Sequence, residues 1–162
     1  MNQFFTSIYS WFCDRSLAVF KMMGSIIDED TGDLILSSSF TTIGLVAAVI
    51  SFLVTFAFYI WPINHPRFKA WWAWIIMLTG NFLINFGLGF AFVHHRIGDI
   101  QNSEEAMELF DEFNHDEVLS LPTSQWIDFA FANGCISILF FIFFSLILTW
   151  MSSTCKYSPF RS

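Results

Sequence analysis

Phe129 to Met151 reads FAFANGCISILFFIFFSLILTWM, an apolar run with no Asp, Glu, Lys, Arg or His in it. At 1.5 Å per residue, a helix over this run is about as long as the hydrocarbon core of a bilayer is thick. Its Leu, Ile and Phe side chains, at about −0.3 to −0.6 kcal/mol each, sum to about −4 to −8 kcal/mol for insertion. The run therefore predicts a membrane-spanning helix even with Asp128 at its edge. Two further uncharged stretches, Phe40 to Trp61 and Ala70 to Val93, have the same character. The middle one is the weakest, because Gly80, Asn81, Asn85, Gly87 and Gly89 dilute its apolar residues. It should need helical neighbours.

Composition points the same way. The 162 residues are 55% hydrophobic and 13% charged, with 22 Phe and 7 Trp, whereas a soluble domain has about a quarter charged residues. The chain reads as an all-α integral membrane protein with transmembrane helices over 40–61, 70–93 and 126–151. An N-terminal amphipathic interfacial helix over 1–28 precedes them, and a short acidic extracytoplasmic helix falls within the connector 97–125. A tail, 152–162, closes the chain.

Charge placement orients it. Arg67 and Lys69 in the connector between the first two spans, and Lys156 and Arg161 in the tail, are unaccompanied by acids. Short Lys/Arg-bearing segments stay cytoplasmic. The connector from Arg96 to Gln125 carries eight acids against one Arg and reads as external. The expected topology is N-terminus outside and C-terminus inside, in a bacterial inner membrane. Trp61, Trp71, Trp72, Trp74 and Trp150 then form the inner aromatic belt, and Trp126 marks the outer face.

Residues 1–27 lack the basic start and unbroken apolar core of a secretory signal. Gln3, Ser7, Ser10, Asp14, Lys21 and Asp28 recur near helical spacing, with Phe4, Phe5, Ile8, Phe12, Val19, Met23 and Ile27 largely opposite. The pattern fits a surface helix whose apolar face meets lipid or a partner subunit. Asp28 to Asp33, DEDTGD, resembles an oxygen-rich calcium loop, but its glycine is one position early and no Glu follows at the twelfth position. It reads as a polar turn. Within the acidic connector, Ser103 can cap a helix with Glu104 and Glu105 in its first turn and Ala106, Leu109, Phe110 and Phe113 on one side.

The most specific reading lies inside the spans. Thr41, Gly44, Ala48, Ser51 and Thr55 make a small-residue stripe on the first, and Ala73, Met77, Gly80, Ile84, Gly87 and Ala91 make the corresponding seam on the second. Ala130, Asn133 or Gly134, and Ser137 continue it on the third. Counted from outer ends at Val93 and Trp126, Asn85 and Asn133 both lie about 11 to 12 Å deep, and Asn81 and Ser137 share the next level. The expectation is an interhelical polar ladder of Ser51, Asn81, Asn85, Asn133 and Ser137, with contact between Asn85 and Asn133. Structural glue is its default meaning, ahead of pore lining. A proton or substrate site would need an ionisable group at mid-bilayer.

At the outer boundary, Asp128 is expected to pair with His95 or Arg96. Cys13, Cys135 and Cys155 form no CxxC and indicate no disulfide framework. No catalytic constellation, cofactor motif, metal-ligand spacing or nucleic-acid patch is present in the sequence, so no cofactor is expected. Lys156, Tyr157, Pro159, Phe160 and Arg161 make a candidate docking tail for a cytoplasmic partner. Three spans with this topology are shared by some phage holins, a likeness of topology without a motif. The function expected from these features is a non-enzymatic membrane anchor or scaffold of a larger assembly, such as an envelope-spanning secretion or injection machine. Its partners would be lipid and other membrane or cytoplasmic subunits, and the alternative is a homo-oligomeric pore.

Overall fold

A computed structural model describes residues 2–14, 18–24, 26–27, 34–36, 38–60, 71–102 and 123–151. The turn over 28–33, the proposed acidic helix within 103–122 and the tail 152–162 lie outside the described residues. In chain order the elements are α1 (Asn2–Phe12), α2 (Ala18–Met23), β1 (Ile26–Ile27), β2 (Leu34–Leu36), α3 (Phe40–Tyr59), α4 (Trp71–Gln101) and α5 (Thr123–Met151). Three helices, α3, α4 and α5, are long and apolar enough to cross a membrane. The two short strands pair antiparallel, Ile26 with Leu36 and Ile27 with Leu34.

Successive spans alternate in direction, so α3 and α5 run one way and α4 runs against them. The α4/α5 contact is the most extensive. A Cβ on Gly89 would lie 2.6 Å from Ala130 Cα, so only glycine permits this approach. Above and below the middle of the bundle the core is apolar. One cluster gathers Phe5, Tyr9, Val19, Phe20, Phe40, Ile43, Val93, Ile100, Phe129 and Ile136 around a ring group in which Tyr9 stacks on Phe129 at 5.5 Å and Phe20 meets Phe40 at 4.8 Å. The other gathers Phe58, Tyr59, Ala73 and Leu148 at the opposite end. Outward, Leu45, Val49, Leu53, Ile76, Leu83, Phe131, Leu139, Phe143 and Ile147 are exposed, which suits contact with lipid.

Three expectations change. Where polar periodicity predicts one helix over 1–28, the structure has α1 and α2, with Cys13 and Asp14 outside either. The two parts pack differently, α1 on α3 and α5 and α2 on α4 and α5. The second span was expected to end at Val93 but continues helically to Gln101. Charge at His94, His95 and Arg96 marks the end of the apolar layer, and nothing in those residues obliges a helix to stop there.

The third change is rotational. The buried face of α4 is Ala73, Asn81, Asn85, Gly89, Val93, Arg96 and Ile100, whereas Ile84, Gly87 and Ala91 are exposed. The expected seam assumed a strict seven-residue repeat, which belongs to supercoiled helices. The observed steps from Asn81 are mostly four residues, closer to a straight helix, and the two patterns drift apart along the span.

Candidate functional site

The polar side chains of the spans converge at the middle of the bundle. Asn81 on α4 is its centre: Nδ2 donates to Ser51 Oγ on α3 at 3.1 Å and to the Ser137 carbonyl on α5 at 3.0 Å. Ser51 Oγ also donates to that carbonyl, at 3.2 Å, so three helices share one node. One turn along α4, Asn85 Nδ2 donates to the Asn81 carbonyl at 2.9 Å and approaches Asn81 Oδ1 at 3.3 Å. Asn133 Nδ2 on α5 donates to the Asn85 carbonyl at 2.7 Å. Asn85 and Asn133 therefore meet through backbone rather than through paired side chains.

The chain of bonds extends beyond the five residues expected. Tyr9 on α1 donates its hydroxyl to Asn133 Oδ1 at 2.5 Å, closing the end of the network nearer Phe129. Toward the other end, Thr55 Oγ1 returns to the Ser51 carbonyl at 2.6 Å, and Thr149 Oγ1 to the Ser145 carbonyl at 2.6 Å. Ser51, Asn81, Asn85 and Ser137 are fully buried and Asn133 is 1% exposed. Buried amides with no partner cost free energy, so the network gives α3, α4 and α5 one mutual register and disfavours sliding. The Asn85 Oδ1 atom is buried without a hydrogen-bond partner.

Tyr9 was missed because its signal is weak. It is a lone hydroxyl on the apolar face that also carries Phe5 and Cys13, and nothing in that spacing shows which span the face will meet.

No family model, curated protein or solved structure matches this chain.

The region of Asp128, His95 and Arg96 is arranged differently from the expected ion pair. No ion pair joins Asp128 to His95 or Arg96. His95 instead meets Asp99 one turn along its own helix, Nδ1 to Oδ2 at 3.0 Å, on an exposed face. Arg96 is 4% exposed, and it donates Nε to the Met22 carbonyl at 3.0 Å and a terminal nitrogen to the Gly24 carbonyl at 2.9 Å. These carbonyls lie at the C-terminal end of α2, where the helix leaves acceptors unpaired and favours a cation. Arg96 thus fastens the N-terminal segment to α4, and Gln125 Oε1 accepts from the Val19 amide at 3.2 Å to fasten it to α5.

Asp128 itself is exposed and lies near Cys13. Burial pushes the Cys13 thiol up to about 11, and the negative charges of Asp128 and Asp14 push in the same direction. Among the described residues no group of three or more His, Cys, Asp or Glu side chains could hold a metal ion. Lys156, Tyr157, Pro159, Phe160 and Arg161 lie outside the described residues. Among the described residues the polar network accepts and donates hydrogen bonds, and the Tyr9 phenol is its titratable member.

Proposed function

We propose that this chain is a non-enzymatic multi-pass membrane subunit that anchors or scaffolds a larger membrane-associated assembly, such as an envelope-spanning secretion or injection machine. The observation that carries the reading is the direction in which the polar groups face. Ser51, Asn81, Asn85, Asn133 and Ser137 are at most 1% exposed and bond to one another inside a single chain. A pore needs polar groups facing a shared aqueous path, and here they are used to fix one bundle. The charged segments at 103–122 and 152–162 would supply the surfaces for soluble partners, the acidic one outside and the basic tail in the cytoplasm, with the N-terminal segment joining the bundle from the outer side.

A homo-oligomeric pore, holin-like or gated, is the second reading. It draws on the bare side of α4, where a Cβ on Gly80 or Gly87 would meet nothing within 4 Å and another helix could come close.

Extraction from native membranes in mild detergent, followed by affinity purification and mass spectrometry, separates the two. Stoichiometric partners that are lost on deleting Lys156 to Ser162 or the acidic connector are the expected result. A pure homo-oligomer that makes liposomes permeable would replace the anchor with the pore.

A further inference from the structure

We propose that α1 does not lie flat at the membrane surface but descends into the outer half of the bilayer as a fourth, half-length helix. Its outward face, carrying Phe4 and Trp11, is then covered by the acyl chains of that leaflet. The first support is register. Tyr9 sits against Phe40 with ring centroids 5.3 Å apart, and one turn toward the N-terminus the Phe5 ring covers Gly44, where a side chain would collide with it. One turn back along α1 thus matches one turn forward along α3. On α5 the order is the same: Cys13 lies near Asp128, and Tyr9 stacks on Phe129 and bonds Asn133. So α1 runs antiparallel to both spans, and its N-terminal end points toward the middle of the bundle. Gly44 is four residues into α3, which puts Phe5 about 6 Å below the level of Phe40.

Charge is the second support. No Asp, Glu, Lys, Arg or His occurs between Asn2 and Phe12, and the charged side chains that follow, Asp14 and Arg15, come after the upper end of the helix. A helix lying in the interface presents a strongly polar, charged face to water, and α1 has none. The third support is continuity. Phe4 is 61% exposed and Trp11 is 75% exposed, and the two helices that α1 packs on also expose apolar side chains, Leu45 and Val49 on α3 and Ile127 and Phe131 on α5. Gln3 and Ser7 share the exposed side of α1 as single uncharged groups. On this arrangement Trp11 sits near the headgroups, as aromatic anchors do. Phe4, seven residues away, sits about 10 Å deeper.

The test is depth, measured on the full chain in liposomes. Phe4→Cys, Ser7→Cys and Trp11→Cys, each in a background of Cys13→Ala, Cys135→Ala and Cys155→Ser, are spin-labelled and read by collision with oxygen and with a water-soluble nickel chelate. The expected result is steady deepening from Trp11 through Ser7 to Phe4, about 10 Å in all. Oxygen access at Phe4 should match that of a label placed by Leu45→Cys, an exposed position of α3 at the same level. Depths at Phe4 and Trp11 within about 3 Å of each other, two residues' rise, would show a flat helix and overturn the proposal. Free access of the chelate to Phe4, or exclusion of both reagents from it by a covering protein surface, would overturn it equally. In the unsubstituted chain, lipids with a photoreactive group in the acyl tail should label the outward side of α1. Labelling only by headgroup probes would count against insertion.

Discussion

Asn133 holds two bonds at once, donating to the Asn85 carbonyl and accepting from Tyr9, and so joins α1, α4 and α5 through one side chain. Interhelical hydrogen bonds in membranes average about 0.6 kcal/mol and reach about 1.7. A double-mutant cycle of Tyr9→Phe with Asn133→Ala should therefore give a coupling of about 0.6 to 1.7 kcal/mol, read from unfolding in mixed detergent and sodium dodecyl sulfate. Zero coupling would show that the bond does not hold in the membrane. Asn81→Leu removes the node shared by three helices and should lower stability more than either single change in that cycle. The Cys13 thiol makes a second prediction at this scale. Because its folded value is raised to about 11, the neutral thiol is the form the fold favours. That contribution to stability is complete below the ordinary thiol value near 8.5 and is lost as pH rises through about 11. At pH 8, iodoacetamide should leave Cys13 unmodified in the folded protein and alkylate it after denaturation, as mass spectrometry of the Cys13 peptide would show.

Among the elements, α4 shows most clearly how far patterning reaches. Its existence and apolar length are legible, because insertion depends on a sum of residue transfer energies that does not require knowing the neighbours. Its rotation is not. The expected seam puts Gly87 inward and leaves Gly89 off the packing face, yet Gly89 lies against Ala130 and Gly87 faces open space. Gly89→Val should destabilise the bundle by about 1 to 3 kcal/mol, the ordinary cost of overpacking. Gly87→Val should change it by less than about 0.5 kcal/mol, as for a surface site. Equal effects in a thermal or detergent unfolding assay would mean the helix is turned otherwise. Arg96 belongs to this scale too, because what it fastens is a helix end. Arg96→Gln removes charged hydrogen bonds to the Met22 and Gly24 carbonyls, each worth about 1.5 to 3 kcal/mol. Amides of α2 should then exchange with deuterium faster while those of α3 and α5 stay protected. The expected partner of Arg96, Asp128, was reasonable by charge alone. The helix end prevailed because it places two carbonyls within reach of one guanidinium.

The whole molecule is a polar middle between two apolar clusters, with the N-terminal segment fastened across one end. Deleting Lys156 to Ser162 should leave this bundle's thermal unfolding unchanged, since Tyr9, Ser51, Asn81, Asn85, Asn133 and Ser137 bond within α1, α3, α4 and α5, while removing a cytoplasmic partner from the purified complex. Loss of stability instead would mean the tail belongs to the fold. The sequence alone determined that three stretches are long and apolar enough to cross a membrane, where those helices begin to within a turn, and that the five polar residues fall at neighbouring levels along them. Each of these follows from local sums of apolar residues and from the fixed rise of a helix. Tertiary structure decided which side of α4 turns inward, that Tyr9 completes the network, that α1 and α2 part to pack on different helices, and that Arg96 grips carbonyls rather than an acid. Those outcomes depend on contacts between residues far apart in the chain. The alternatives there differ by one or two hydrogen bonds or one glycine's clearance, and only the packed bundle selects among them.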